Sequence, residues 1–138
     1  MKVLDTDVCV EILRGNTRGI EIRRQTLCEV ATTWVTACEL AYGAAKSRSP
    51  TENQTLVSEF FATMSILGLN MRAAESFGQI KSVLERTGNI LADADLVIAA
   101  ITLAHSASLV TGNRRHYERI DGLRIQDWIR GPAGTDRG

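Results

Sequence analysis

The sequence predicts one α/β domain, with a central, mostly parallel sheet of four to five short strands and helices on both faces. Two observations carry this prediction. Short β-branched and apolar runs alternate along the chain with longer segments of helical periodicity. Residues 91–104, LADADLVIAAITLA, are apolar on every side of the helical wheel after Asp95. This pattern is typical of a buried helix.

Length and composition describe an ordinary globular chain. Its 138 residues suit a single domain, and their formal net charge of zero gives no overall basic field that would indicate nucleic acid. The three cysteines have no metal-ligand spacing and suit a reduced, cytoplasmic interior. We expect no signal peptide and no membrane span. The domain is expected over residues 1–130, with a flexible C-terminal tail at 131–138.

The first strand is expected at residues 2–6, which places Asp5 at its carboxyl end. Ligands of open α/β sheets bind at this edge. Asp7 is a candidate N-cap for a short helix at 8–13. A second helix is expected at 16–25, with its arginines facing solvent.

Residues 30–34 are β-branched and aromatic, which predicts the second strand. Glu39 follows this strand as Asp5 follows the first. Thr36 and Glu39 also fit a capping box, with Thr at the N-cap and Glu at the third helical position. Both interpretations of Glu39 remain open from the residues alone.

The rest of the chain continues the alternation of elements. A loop is expected at 47–53, helices at 55–64 and 71–86, and strands at 66–69, 109–110 and 123–125. The fourth of the five strands runs directly into a polar turn at 111–113. We expect Trp128 to pack the last strand onto a helix.

The buried helix begins with two carboxylates, Asp93 and Asp95. A buried carboxylate needs a cation, a metal or strong hydrogen bonds. The simpler interpretation is that these acids cap the helix and meet its dipole. Two positions on a regular helix are turned by about 200°, so both cannot point into one site. Asp95 is the preferred ligand, and Asp93 is expected to be the helix cap or a group in the outer shell around the ligands.

Asp5, Glu39, Asp95 and the turn at 111–113 are expected to gather at one edge of the sheet. They would form an acidic pocket with few bases, for which Mg²⁺ or Mn²⁺ is the natural counter-charge. Neither histidine has a partner at ligand spacing, so zinc is not indicated. Acids that hold such ions suit the hydrolysis of a phosphodiester. The residues alone do not select the substrate.

Four segments follow one another along the chain: VLDTDV at 3–8, TACELAYGA at 36–44, DLVIAA at 95–100 and LVTGNRRHYERIDGLRIQDW at 109–128. In this order they resemble the PIN-domain proteins and, within them, the VapC-type toxins of bacterial toxin–antitoxin pairs. The resemblance covers about residues 1–130. It implies a PIN-like three-layer domain.

By this resemblance, Asp5, Glu39 and Asp95 match the metal-binding acids of the family. The family often has a fourth acid where this chain has Asn113. It often has Asn or Ser where this chain has Asp7. The implied catalytic set is Asp5, Glu39, Asp95 and Asn113, with Asp93 as a further candidate ligand, and the implied substrate contacts are Thr6, Thr111, Arg114 and Arg115.

The resemblance implies an endoribonuclease that depends on Mg²⁺ or Mn²⁺, cuts tRNA or ribosomal RNA and arrests translation. It also implies a homodimer, a VapB-type antitoxin as partner and action in the cytoplasm, away from membranes. Two alternatives remain. Asp5 and Asp7 are two apart after a strand, as in haloacid-dehalogenase-like phosphotransferases. The chain could instead be a non-catalytic PIN-fold module that binds nucleic acid.

Overall fold

Five short strands, all parallel, form the central sheet. They are β1 (Lys2–Leu4), β2 (Val30–Thr33), β3 (Ser65–Leu67), β4 (Ser108–Val110) and β5 (Arg124–Gln126), in the spatial order β3–β2–β1–β4–β5. The structure, a computed structural model, describes residues 1–130, so the tail expected at 131–138 lies outside the described residues. The predicted parallel sheet is confirmed.

Seven helices connect and flank the strands in the described part of the chain. They are α1 (Thr6–Leu13), α2 (Thr17–Gln25), α3 (Trp34–Ala45), α4 (Pro50–Phe61), α5 (Met71–Arg86), α6 (Asp93–Ala104) and α7 (Arg114–Tyr117). None of these helices combines the length and the apolarity that crossing a bilayer requires.

The sheet buries both of its faces. Successive residues of a strand point to opposite sides, so Val3 and Leu4 of β1 enter different cores. Val3 belongs to a cluster with Leu96 of α6 and Leu84 of α5. Leu4 belongs to the opposite cluster, which contains Val8 of α1, Leu40 of α3, Phe60 of α4 and Trp128. This arrangement of helices, sheet and helices confirms the predicted three layers.

Helix α6 is the buried helix that its composition predicts. Ile98, Ala99 and Ala100 have no exposed surface. Thr102, the one polar residue of this helix after Asp95, is also fully buried, but its hydroxyl donates to the Ile98 carbonyl at 2.8 Å. The hydroxyl is therefore satisfied inside the helix and adds no unpaired group to the core.

The start of α1 differs from the prediction. Helix α1 begins at Thr6, and its N-cap is Asp5, whose Oδ1 accepts a hydrogen bond from the Thr6 amide. The expectation that Asp7 caps this helix is therefore wrong. Asp7 lies inside the first turn, which leaves its carboxylate available for the contacts described below.

The start of α3 also differs. Thr33 is the N-cap and accepts from the Thr36 amide at 3.3 Å, so Trp34 begins the helix instead of ending a strand. Thr36 is thus the third helical residue, and the capping box predicted for Thr36 and Glu39 does not form. Helix α4 starts at Pro50, inside the predicted loop at 47–53, because proline suits the first position of a helix.

Candidate active site

Asp5 lies at the centre of the site, at the carboxyl end of the middle strand. Its residue surface is only 6% exposed. Oδ1 accepts from the Thr6 amide at 2.9 Å, and Oδ2 accepts from the Thr111 hydroxyl at 2.9 Å. Leu4 pairs with Val110 in the sheet, so the next residue of each strand reaches the same edge. The parallel register thus brings Asp5 and Thr111 together.

The site concentrates negative charge. The pKa of Asp5 is raised from 3.8 to about 6, first by burial and then by the charge of Asp7, with a smaller effect of Asp95. Hydrogen bonds from Thr111 and Thr6 oppose this rise. Within residues 1–130, no Lys or Arg nitrogen lies within 4 Å of the Asp5 carboxylate.

Glu39 is connected to the site by a hydrogen bond from the Thr6 hydroxyl. Its Oε1 accepts from the Thr6 hydroxyl at 2.7 Å, and the Thr6 oxygen lies 3.0 Å from the Thr36 hydroxyl oxygen. Thr6 therefore connects the first turn of α1 with α3. Thr6, which was predicted to contact the substrate, instead donates its hydroxyl to Glu39, one of the acids of the site.

Asp95 faces the site from the first turn of α6 and is held by two side chains of α7. Its Oδ2 lies 2.7 Å from His116 Nε2, and its Oδ1 accepts from the Tyr117 hydroxyl at 3.2 Å. Burial, followed by the charges of Asp5 and Asp95, raises the pKa of Tyr117. The Tyr117 hydroxyl therefore remains a donor at physiological pH.

Sequence reasoning missed His116 and Tyr117 as members of the site. Their contact with Asp95 spans about twenty residues and follows no ligand spacing. The available signal was their position just after the turn at 111–113, which places α7 at the same edge of the sheet.

Asp93 is directed elsewhere. Its Oδ1 forms an exposed ion pair with Lys81 Nζ of α5 at 3.0 Å. The N-cap of α6 is Ala92, and no side chain caps this helix, so the expectation that Asp93 is the cap is wrong. The structure brings Asp95, and not Asp93, to the contacts around Asp5.

The turn after β4 supplies polar groups to the same edge. Thr111 is fully buried, and its oxygen accepts from the Asn113 amide at 3.0 Å while its hydroxyl donates to Asp5. Asn113 is exposed. Arg114 is half-buried and Arg115 exposed at the start of α7, and neither forms an ion pair within residues 1–130.

The donors of the site suit a divalent cation in their chemistry. Carboxylate oxygens are the ligands that Mg²⁺ and Mn²⁺ prefer, and a buried carboxylate gains from a nearby cation. Within residues 1–130, however, no three His, Cys, Asp or Glu side chains lie close enough to hold a metal ion together. Thr6 stands between Asp5 and Glu39, and α7 engages Asp95. Binding an ion would require these side chains to converge.

Known proteins share this fold and sequence over nearly the whole chain. The PIN domain model matches residues 2–123. The chain is 30% identical over 128 residues to ribonuclease VapC2 of Haemophilus influenzae, with 92% of this chain and 97% of that protein covered. It is 33% identical over 127 residues to the tRNA(fMet)-specific endonuclease VapC of Salmonella typhimurium, with 91% and 96% covered.

A solved structure of a VapC-containing complex has the same fold as this chain. The crystal structure of DNA-bound VapBC from Salmonella typhimurium matches with a TM-score of 0.86 and 33% identity, and covers 92% of this chain and 97% of that chain. The match to the PIN domain model includes β1, α3, α6 and the turn after β4. The chain therefore belongs to the PIN domain family and, within it, to the VapC ribonucleases.

Proposed function

We propose that the chain is the toxin of a VapBC-type toxin–antitoxin pair and cuts RNA of the translation machinery, with tRNA as the first candidate. The observation that carries this proposal is the gathering of Asp5, Glu39 and Asp95 around the carboxyl end of β1 in a PIN domain. A relative that is 33% identical is named a tRNA(fMet)-specific endonuclease, which supports tRNA as the substrate class.

Ribonucleases of the PIN family generally depend on divalent metal. In this chain, Asp5, Glu39 and Asp95 would hold the ion, and we propose Mg²⁺ or Mn²⁺ because all three donors are carboxylates. When bound, the ion stabilises charge on phosphate oxygens and lowers the pKa of a water. Thr111 holds Asp5 in one orientation through its hydroxyl.

Exposed groups beside the acids would bind the substrate. Asn113 presents an amide at the rim, and Arg114 and Arg115 present guanidinium groups at the start of α7. Guanidinium groups pair with phosphate through two parallel hydrogen bonds. These residues would therefore position the RNA backbone across the acidic edge.

The proposed partners are a VapB-type antitoxin and a second copy of the chain. A VapBC assembly with the same fold supports the antitoxin. For the homodimer, the support is an exposed apolar face on α3, where Trp34 is 57% and Tyr42 65% exposed. These residues are eight apart, so they share one side of the helix. Action on tRNA or ribosomal RNA would take place in the cytoplasm.

The two alternatives lack support. Both Asp7 oxygens accept backbone amides, Oδ1 from Val8 and Oδ2 from Gly112, so Asp7 is poorly placed as the acid of a phosphotransferase. The close relatives are named as ribonucleases, which favours catalysis over binding alone.

The test is incubation of the purified chain with total RNA in Mn²⁺ or Mg²⁺, with mapping of the new ends. We expect cleavage that chelator abolishes and that leaves 5′-phosphates. An Asp5→Asn variant purified in parallel controls for contaminating nuclease. Cleavage that persists in excess EDTA, or products with 2′,3′-cyclic phosphates, would contradict the proposal.

A further inference from the structure

Side chains hold the peptide groups of Gly112 from two directions. Asp7 Oδ2 accepts from the Gly112 amide at 2.9 Å, across 105 residues of chain. Arg130 Nη1 donates to the Gly112 carbonyl at 3.0 Å. The other oxygen of Asp7, Oδ1, accepts from the Val8 amide at 2.8 Å. The carboxylate is thus fixed to α1 on one side and to the turn after β4 on the other.

A side chain at Gly112 would displace its neighbours. A Cβ at this position would lie 2.9 Å from Asp7 Oδ2 and 2.8 Å from Ile129 Cδ1, so one or both of these side chains would have to shift. Gly112 is not among the glycines with positive φ, so these contacts, and not backbone conformation, favour glycine here. The turn is therefore packed directly against Asp7 and Ile129.

This turn also sets the geometry of the acids. Thr111, the residue before Gly112, donates its hydroxyl to Asp5 Oδ2 at 2.9 Å. The Thr111 hydroxyl oxygen in turn accepts from the amide of Asn113, the residue after Gly112. A displacement of Gly112 would therefore change both the hydrogen bond on Asp5 and the position of Asn113.

We infer that Asp7 is a positioning residue that clamps the Thr111–Asn113 turn onto α1, and that it is not a metal ligand. Each of its oxygens already accepts a backbone amide, and Arg130, a cationic group whose charge acts on Asp7, binds the same turn. The inference rests on the proposed ribonuclease function, because the turn it holds orients Asp5 and Asn113 for that reaction.

The experiment compares Asp7→Ala, Asp7→Asn and Gly112→Ala with the wild-type chain. The amide of Asn cannot replace both carboxylate oxygens, but its Oδ1 can still accept from Gly112. We expect Asp7→Ala to lower kcat for RNA cleavage by about 10- to 100-fold, since small misplacements have such effects. We expect KM and Mn²⁺ affinity, measured by electron paramagnetic resonance, to change by less than about threefold, and Asp7→Asn to restore kcat to within about threefold.

A second measurement reports on the hydrogen bond between Asp7 and the Gly112 amide independently of catalysis. Hydrogen exchange of the Gly112 amide should be slow in the wild-type chain and in Asp7→Asn, and fast in Asp7→Ala. Gly112→Ala displaces the turn from the opposite end of the same contact, because its added Cβ would meet Asp7 and Ile129. This variant should reproduce the loss of kcat. Gly78→Ala, at an exposed position of helix α5 with open space around it, is the matched glycine control and should behave as wild type.

Two results would overturn the inference. One is a full kcat and unchanged Gly112 exchange in Asp7→Ala. The other is weakened Mn²⁺ binding in Asp7→Asn equal to that in Asp7→Ala, which would identify Asp7 as a ligand. A wild-type chain that cuts no RNA would contradict the proposed function, while the exchange of Gly112 would still test the clamp.

Discussion

His116 Nε2 lies 2.7 Å from Asp95 Oδ2, so the shortest helix within residues 1–130, α7, holds an acid in the first turn of the buried helix α6. Tyr117 adds a second hydrogen bond to the same carboxylate. Asp95 is therefore oriented by two side chains of α7.

The first prediction concerns these two partners of Asp95. Groups that orient a ligand typically contribute about 10- to 100-fold to metal affinity or activity. We expect His116→Ala and Tyr117→Phe each to reduce Mn²⁺ affinity or kcat by about that factor. Titration with Mn²⁺ and cleavage kinetics check this, with His105→Ala, an exposed histidine at the end of α6, as control. Variants as active as the control would contradict it.

The second prediction ranks the acids. Asp5→Asn, Glu39→Gln and Asp95→Asn should each lower Mn²⁺-dependent cleavage by at least about 100-fold, because hard cations lose affinity when a carboxylate becomes neutral. All three must remain folded in thermal melts.

Two variants should be milder than these. Asp93→Asn removes only an exposed ion pair with Lys81, and exposed ion pairs contribute little to stability because water screens them. Asn113→Ala should have an intermediate effect on cleavage, through a lost hydrogen bond to the substrate. Loss of cleavage in Asp93→Asn but not in Asp95→Asn would mean that the two aspartates are assigned the wrong way round.

The third prediction is a pH dependence of stability in metal-free protein. The pKa of Asp5 is about 6 in the folded chain and near 3.8 when unfolded, so the native state holds the extra proton between these values. The free energy of unfolding should therefore fall as pH rises from about 4 to about 6, and stay lower above. At pH 7, Asp5→Asn should raise Tm by roughly 2–5 °C. Thermal melts in EDTA across this range test both statements, and a Tm lowered by Asp5→Asn at pH 7 would contradict them.

The fourth prediction concerns assembly. Light scattering at micromolar concentration should give about twice the 15.1 kDa mass of one chain. Trp34→Glu places a charge on the exposed apolar face of α3 and should yield monomers, because burying an unpaired charge is costly. Leu27→Glu, at a fully exposed position, is the matched control. A wild-type monomer, or a dimer that persists in Trp34→Glu, would exclude this face.

The fold could be predicted from local patterns because those patterns reflect burial. The apolar run of α6 and the short β-branched strands are visible in the sequence, and their alternation leads to a parallel sheet. The positions of Asp5 and Glu39 followed from that sheet, since its strand ends share one edge, whereas Asp95 lies at the start of a helix that follows another helix.

The contacts within the site could not be predicted in the same way. Glu39 meets Thr6 across 33 residues, and Asp7 meets Gly112 across 105. Such contacts depend on side-chain directions that only the packed helices set. The capping errors have the same origin, because Asp5 and Asp7 are equally good caps in isolation, and the end of β1 selects Asp5.

The position of β1 also affects how the protein is made. This strand is synthesised first, yet its neighbour β4 and the Thr111 partner of Asp5 come more than a hundred residues later. A nascent chain still being translated therefore holds Asp5 and Glu39 without the turn and the short helix that orient the site. The acids of the site can therefore be oriented only after β4, Thr111 and α7 have been synthesised and have packed beside β1.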